Sequence, residues 1–299
     1  MNASDNLQQS ILQLRQLTGL PIELREQDIR DPEEAVQKIR RLCMTLRDTD
    51  HQEHVILRWL TGEIPDDEFY QYAARTHLDS GGIRTLYLIR FGKKLYPEIT
   101  LVLRSMFPDS RTWILPFDQT QILLACHFQA HEHPLAEETA YEILDLMNTE
   151  LMEQVCISFS GTVHSSQELT SSCRQCILAM KVGSIFYPDR TIYAYNELGI
   201  GQLLYDSPEE TLREYVRSHI GERFLTQASP AFNTENQNTA NCFFSNDMNI
   251  AQTAKQLHVH RNTLLYRLEQ IENETGLDIR RFDQAVTYRI CSLILLGLK

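Results

Sequence analysis

Apolar positions recur at helical spacing through the first quarter of the chain. Within residues 31–46, Val36, Ile39, Cys43 and Leu46 fall at i, i+3, i+7 and i+10, behind an Asp31 N-cap and a first-turn Pro32. That spacing predicts a helix with one apolar face. Val55, Ile56, Trp59 and Leu60 predict a second helix over 54–60, stopped at Gly62, and residues 66–78 a third, ending before the Asp79-Ser-Gly-Gly82 break. From about residue 83 the period shortens. Residues 85–91, 113–117, 121–128, 154–159 and 191–195 read as strands, with the second and third forming a hairpin around Asp118-Gln-Thr120, and 97–107, 135–147 and 165–181 read as helices between strands. This alternation predicts an α/β layer with a mixed sheet. Residues 198–225 return to a helical pattern. The stretch 226–241 is rich in Gln, Asn, Thr and Ser, holds Pro230, and reads as a linker.

The most informative pattern lies at 249–271. Asn249 caps a short helix through Leu257, Ala254 sits where a second helix can cross closely, and His258-Val259 makes the turn. In the helix that follows, Leu264, Leu268 and Ile271 at i, i+4 and i+7 form the buried stripe. Asn262 and Tyr266 lie opposite it, with Thr263 and Arg267 on one flank and Arg261 on the other. The first turn thus presents Arg, Asn and Thr, side chains that donate to guanine, pair with adenine or anchor phosphate. It does so at the end that a recognition helix inserts into the major groove. The candidate DNA contacts are Gln252, Thr253, Lys255, His258, His260, Arg261, Asn262, Thr263, Tyr266 and Arg267.

Charge sharpens this picture. The 299 residues hold 28 Lys+Arg against 40 Asp+Glu, a formal net charge of −12, which excludes a chain that coats nucleic acid or anionic lipid through its overall charge. Between Lys255 and Leu268, however, there are three bases, two histidines and no acid, and residues 246–299 balance seven bases against six acids. A near-neutral end on an acidic body suits a DNA reader whose non-specific affinity is held low. No apolar run reaches the roughly 18 residues needed to cross a bilayer. The first residues show no basic region followed by an apolar core, and the seven cysteines are scattered as in a reducing compartment, so a cytoplasmic protein is expected.

Rival chemistries find little to stand on. His127, His131 and His133 are close in sequence, but their strand-to-loop spacing does not place all three on one face. Cys173 and Cys176 sit inside a helix, where i, i+3 spacing turns both to the core, whereas redox pairs begin a helix. A nucleotide cyclase would need an acid ending its first strand and a Gly-Gly-acid hairpin; here the strand runs into Arg90-Phe-Gly-Lys-Lys94 and the hairpin offers only Asp118. No catalytic residue, metal site or cofactor is expected.

The run His260-Arg-Asn-Thr-Leu-Leu-Tyr-Arg-Leu268, followed by Ile271, Thr275-Gly-Leu-Asp278 and the apolar positions Val286, Ile290, Leu293 and Ile294, resembles the C-terminal helix-turn-helix of the PucR/CdaR family of bacterial transcriptional regulators. The resemblance covers roughly 80–299 and departs from the family where a leucine-rich helix is usual and this chain has the polar run 235–241. It implies an α+β protein with an N-terminal helical segment (1–78), a central, degenerate GGDEF-like mixed-sheet domain (79–197), a helical connector and linker (198–236) and an all-helical helix-turn-helix domain (237–299). The function implied is a transcriptional regulator of a metabolic or catabolic operon, with duplex DNA as partner and a small-molecule effector that the resemblance does not identify. A homodimer is expected, because one short helix reads too few base pairs alone. Two stripes could join the copies, Val36/Ile39/Cys43/Leu46 and Val286/Ile290/Leu293/Ile294. The first is favoured, since the second is needed to close the small core under the recognition helix. The alternative is a protein-interaction or scaffold module whose helical tail is structural.

Overall fold

The computed structural model describes residues 7, 10–12, 14, 32–95, 97–129, 135–226 and 230–298. The chain divides into two compact units, 1–181 with 189–197 and 182–188 with 198–299.

In the first unit, α1 (Pro32–Leu60) and α2 (Asp66–Thr76) precede the sheet. The two helices expected over 31–46 and 54–60 are one, because the polar residues between them include no glycine or proline to break the ladder. Trp59 fixes the corner: its ring stacks on Phe69 at 3.7 Å and its indole N–H donates to Asp66 Oδ1 at 2.8 Å. Val36 and Ile39 are buried in a cluster with Leu7 and Leu14, so part of the favoured N-terminal stripe is covered within the chain; the side chains of Cys43 and Leu46 fall outside the described residues.

The sheet comprises β1 (Ile83–Phe91), β2 (Trp113–Pro116), β3 (Gln121–Phe128), β4 (Val155–Phe159) and β5 (Ile192–Ala194), ordered β2-β3-β1-β4-β5. Only the β4–β5 pair is parallel, so the sheet is mixed. Between strands run α3 (Pro97–Met106), α4 (Ala136–Glu150) and α5 (Leu169–Phe186), the last crossing between the units. β1 is buried almost throughout because both sheet faces are covered. Tyr87, Ile89 and Phe91 join Ile99 and Leu103 of α3 and Ile143 and Met147 of α4 in one core. On the opposite face α5 docks through Ser158 Oγ, which donates to Cys176 O at 2.7 Å. Cys173 and Cys176 are fully buried there, and burial pushes the Cys173 thiol up to about 12 and Cys176 higher still. The hairpin carboxylate, Asp118, closes its own turn by accepting from Thr120 N and Oγ1 at 2.6 and 3.0 Å.

Arg84, wholly buried in β1, lies over the Trp113 ring at 3.9 Å and donates to Arg111 O and Asp79 O. Beside it His127 packs against Gly82, whose φ of +88° and Cα position leave no room for a side chain: an added Cβ would stand 2.5 Å from His127 Nε2. His131 and His133 lie outside the described residues, so the three-histidine grouping is not described by the structure. Burial, reinforced by Arg111 and Arg84, holds His127 below the ordinary imidazole value of 6.5. An unfolded chain therefore binds this proton before the folded one does. Stability of the first unit is expected to fall as pH drops below about 6.5, and to level off below the depressed folded value. Both tryptophans of the chain, Trp59 and Trp113, lie in this unit, so urea unfolding followed by tryptophan fluorescence reads it directly. His127→Gln should flatten the slope between about pH 7 and pH 5; an unchanged slope would assign the pH dependence to other groups.

The second unit is helical. The pattern over 198–225 resolves into α6 (Ile200–Tyr205), α7 (Glu209–His219) and α8 (Arg223–Thr226), because Pro208 starts a new helix and Gly221, at φ +103°, ends it. Then follow α9 (Thr234–Ser245), α10 (Ile250–Gln256), α11 (Arg261–Thr275) and α12 (Phe282–Gly297). The segment read as a linker over 226–241 is thus helical from Thr234. Asn233 caps it, its side chain accepting from Asn236 N at 2.8 Å. Its buried face is Asn236, Thr239, Ala240 and Phe243, of which Asn236 and Thr239 are polar by type although both are packed inward.

Candidate nucleic-acid interface

The core beneath the interface is small. Ala240 and Phe243 of α9, Ala254 of α10, Leu264, Leu268 and Ile271 of α11, Ile279, and Ala285 and Tyr288 of α12 form one cluster. The stripe that the spacing suggested on α12 is inward only in its second half: Leu293 and Ile294 are buried, together with Ala285, Tyr288 and Ser292, while Val286 is 40% exposed. Val286 sits one residue, or 100°, round the helix from the buried Ala285, and Ile290 two residues on from the buried Tyr288.

Two left-handed residues in succession, Asp247 at φ +51° and Met248 at φ +61°, turn the chain from α9 into α10. Asn249 then caps α10, its Oδ1 accepting from Ala251 N and Gln252 N at 3.0 and 3.2 Å. Thr253 Oγ1 reaches back to Asn249 O at 2.7 Å. A third left-handed residue, His258 at φ +53°, makes the turn into α11, with Val259 N donating to Ala254 O at 3.0 Å. His260 is the N-cap of α11, its Nδ1 accepting from Asn262 N at 3.2 Å. At the far end Gly276, φ +74°, closes the helix by donating to Glu272 O. Asp278 secures the loop to α12: the Arg280 guanidinium, 2.6 Å away, holds its carboxyl below the usual range.

With the helices fixed in this way, Gln252, Lys255, His258, His260, Arg261, Asn262, Thr263 and Tyr266 are all exposed around the turn and the first turns of α11. Two expected contacts are not available. Thr253 is fully buried, because it shares the inward face of α10 with Ala254 and spends its hydroxyl on the helix backbone. Arg267 is turned back onto α9, where its guanidinium meets Glu235 Oε1 at 2.5 Å and Thr239 Oγ1 at 3.3 Å. It is a clamp between the recognition helix and α9. Glu235 and Thr239, the other half of that clamp, escaped the reading of the sequence, since a pairing across 32 positions leaves no periodic trace. Tyr266 stands free on the outer face, 60% exposed, with its hydroxyl accepting from Gln270 Nε2 at 3.3 Å. Among the described residues no three His, Cys, Asp or Glu side chains gather as they would around a metal ion. Nor is any described helix long and apolar enough to cross a membrane.

The arrangement is therefore a helix-turn-helix with a cationic, acid-free leading edge. Residues 237–294 match the PucR C-terminal helix-turn-helix domain. The chain is similar to the Bacillus subtilis protein YsfB, 30% identical over 128 residues that make up 43% of this chain and 32% of YsfB. It is similar to the DNA-binding transcriptional activator AdeR of the same organism, 26% identical over 137 residues, 46% of this chain and 32% of AdeR. It also resembles the carbohydrate diacid regulator of Escherichia coli, 29% identical over 116 residues, 38% of this chain and 29% of that protein. The matched stretches span about a third of the length of these curated relatives.

Proposed function

We propose, from the match of residues 237–294 to the PucR C-terminal helix-turn-helix domain, that this chain is a DNA-binding transcriptional regulator of the PucR/CdaR type that reads duplex DNA with the first turns of α11. The observation that carries this reading is the exposed edge formed by Lys255, His258, His260, Arg261, Asn262 and Thr263, held on a closed apolar core and free of acids from Lys255 to Leu268. Arg261 and Asn262 supply base-edge recognition, the guanidinium to guanine and the amide to adenine. Lys255, with Gln252, His258, His260 and Thr263 beside it, anchors the phosphates, and Tyr266 lies along the groove wall. Arg267 acts by positioning α11 through Glu235.

The sheet-containing unit serves as a non-catalytic, GGDEF-like domain, a role supported by its strand–helix order and by a hairpin whose one carboxylate is engaged in its own turn. The regulator works in the bacterial cytoplasm as a homodimer, with a small-molecule signal setting its activity. Its target is a metabolic or catabolic operon, as the name of the carbohydrate diacid regulator suggests for that relative.

Salt dependence tests the electrostatic half of this reading. Affinity for a duplex should fall linearly on a log–log plot against salt, and Lys255→Ala should weaken all duplexes alike and lower the slope by about one. Binding that is indifferent to salt, or a Lys255→Ala variant with the wild-type slope, would remove the phosphate contacts from the account.

A further inference from the structure

The start of α11 is held by one residue. Of the backbone N–H groups that open the helix, those of Thr263 and Leu264 both donate to His260 O, at 3.0 and 3.2 Å, and that of Asn262 donates to His260 Nδ1 at 3.2 Å. Asn262 is itself one of the two side chains assigned to base edges. Among the described residues, neither the Arg261 guanidinium nor the Asn262 side-chain amide is held by a hydrogen bond or ion pair, so their direction follows the path of the first turn.

Histidine is an unusual residue for this cap, where Ser, Thr, Asp and Asn are preferred. Its imidazole brings a second nitrogen. Nδ1 accepts a hydrogen bond only with its lone pair free, which puts the ring proton on Nε2 and leaves the ring neutral. His260 is exposed, and among the described residues Nε2 has no partner. We propose that His260 positions the two base readers: Nδ1 fixes the start of α11, and with it Arg261 and Asn262, while Nε2–H meets a phosphate oxygen as a neutral donor. This role rests on the regulator reading. It separates His260 from Lys255, which neutralises a phosphate by its charge. A neutral hydrogen bond releases no counterion, so it adds affinity without adding to the salt slope.

The test uses the full chain and two duplexes of equal length, one enriched from a random-sequence pool by wild type and one unrelated, with folding checked by circular dichroism. His260→Ala, which removes the cap, should narrow the affinity ratio between the duplexes by roughly 2- to 30-fold, the range that loss of an N-cap spans. His260→Ser and His260→Asn each return a capping oxygen and should restore the wild-type ratio. His260→Ser should still weaken both duplexes alike, by roughly 2- to 12-fold, the range of one neutral hydrogen bond. All three variants should keep the wild-type salt slope. Without DNA, exchange of the Asn262 backbone amide followed by NMR should be faster in His260→Ala than in wild type or His260→Ser. A ratio unmoved in His260→Ala, or recovered in neither capping variant, would overturn the positioning role, and a slope lowered by about one in all three would make the ring a cation. If wild type prefers no duplex, the regulator reading fails and this role with it. If wild type discriminates while the Asn262 amide exchanges equally fast in wild type and His260→Ala, the role fails alone.

Discussion

Arg261→Ala and Asn262→Ala should each lower affinity for a preferred duplex by about 1–3 kcal/mol, roughly 5- to 150-fold, while leaving the fold unchanged. Both side chains are exposed in the first turn of α11, and neither contributes to the core cluster, so their removal costs no packing. Their loss should show mainly as lost discrimination. Affinity for an unrelated duplex should drop far less for Asn262→Ala, which removes no charge, than for Arg261→Ala, which removes one. Competition binding with preferred and unrelated duplexes checks this. Two folded variants that keep wild-type preference would show that α11 is not the reading helix.

Leu268→Ala should act through stability. Leu268 is 1% exposed at the centre of the cluster that joins α9, α11 and α12, and truncating a leucine in such a site costs about 2–5 kcal/mol. That is a large fraction of what a small helical domain has in reserve. The loss should fall on the second unit. Because Trp59 and Trp113 both belong to the first unit, tryptophan fluorescence should report a transition close to wild type while far-UV circular dichroism shows helix melting earlier. DNA binding should vanish in proportion to unfolding and recover at lower temperature. A variant whose helices melt with the wild-type transition would mean that the cluster is not the structural base of the interface.

How far the sequence reveals this architecture depends on whether an element announces itself by its own period. The stripe Leu264, Leu268 and Ile271 does, and all three are buried. The mixed sheet is also legible, since strands covered on both faces read as dense apolar runs. α9 is not, because its inward residues Asn236 and Thr239 are polar and only Phe243 marks the face. Thr253 and Arg267 show the limit for site residues. Each is the right chemical type near the right turn, yet one faces the core beside Ala254 and the other is held by Glu235 on a different helix. Exposure on short helices is decided by the crossing angle of the neighbouring helix, which spacing within one helix does not contain. The α12 stripe is legible in part for the same reason: Leu293 and Ile294 are buried, while at the start of the helix packing chooses Ala285 and Tyr288 over Val286.

Selection of bound duplexes from a random-sequence pool by the purified full chain tests most directly whether α11 reads sequence. The pool should yield a recurring sequence arranged as two half-sites, with enrichment lost for Arg261→Ala and Asn262→Ala. A pool that emerges without a shared sequence, or with the same sequence for those two variants, would contradict it.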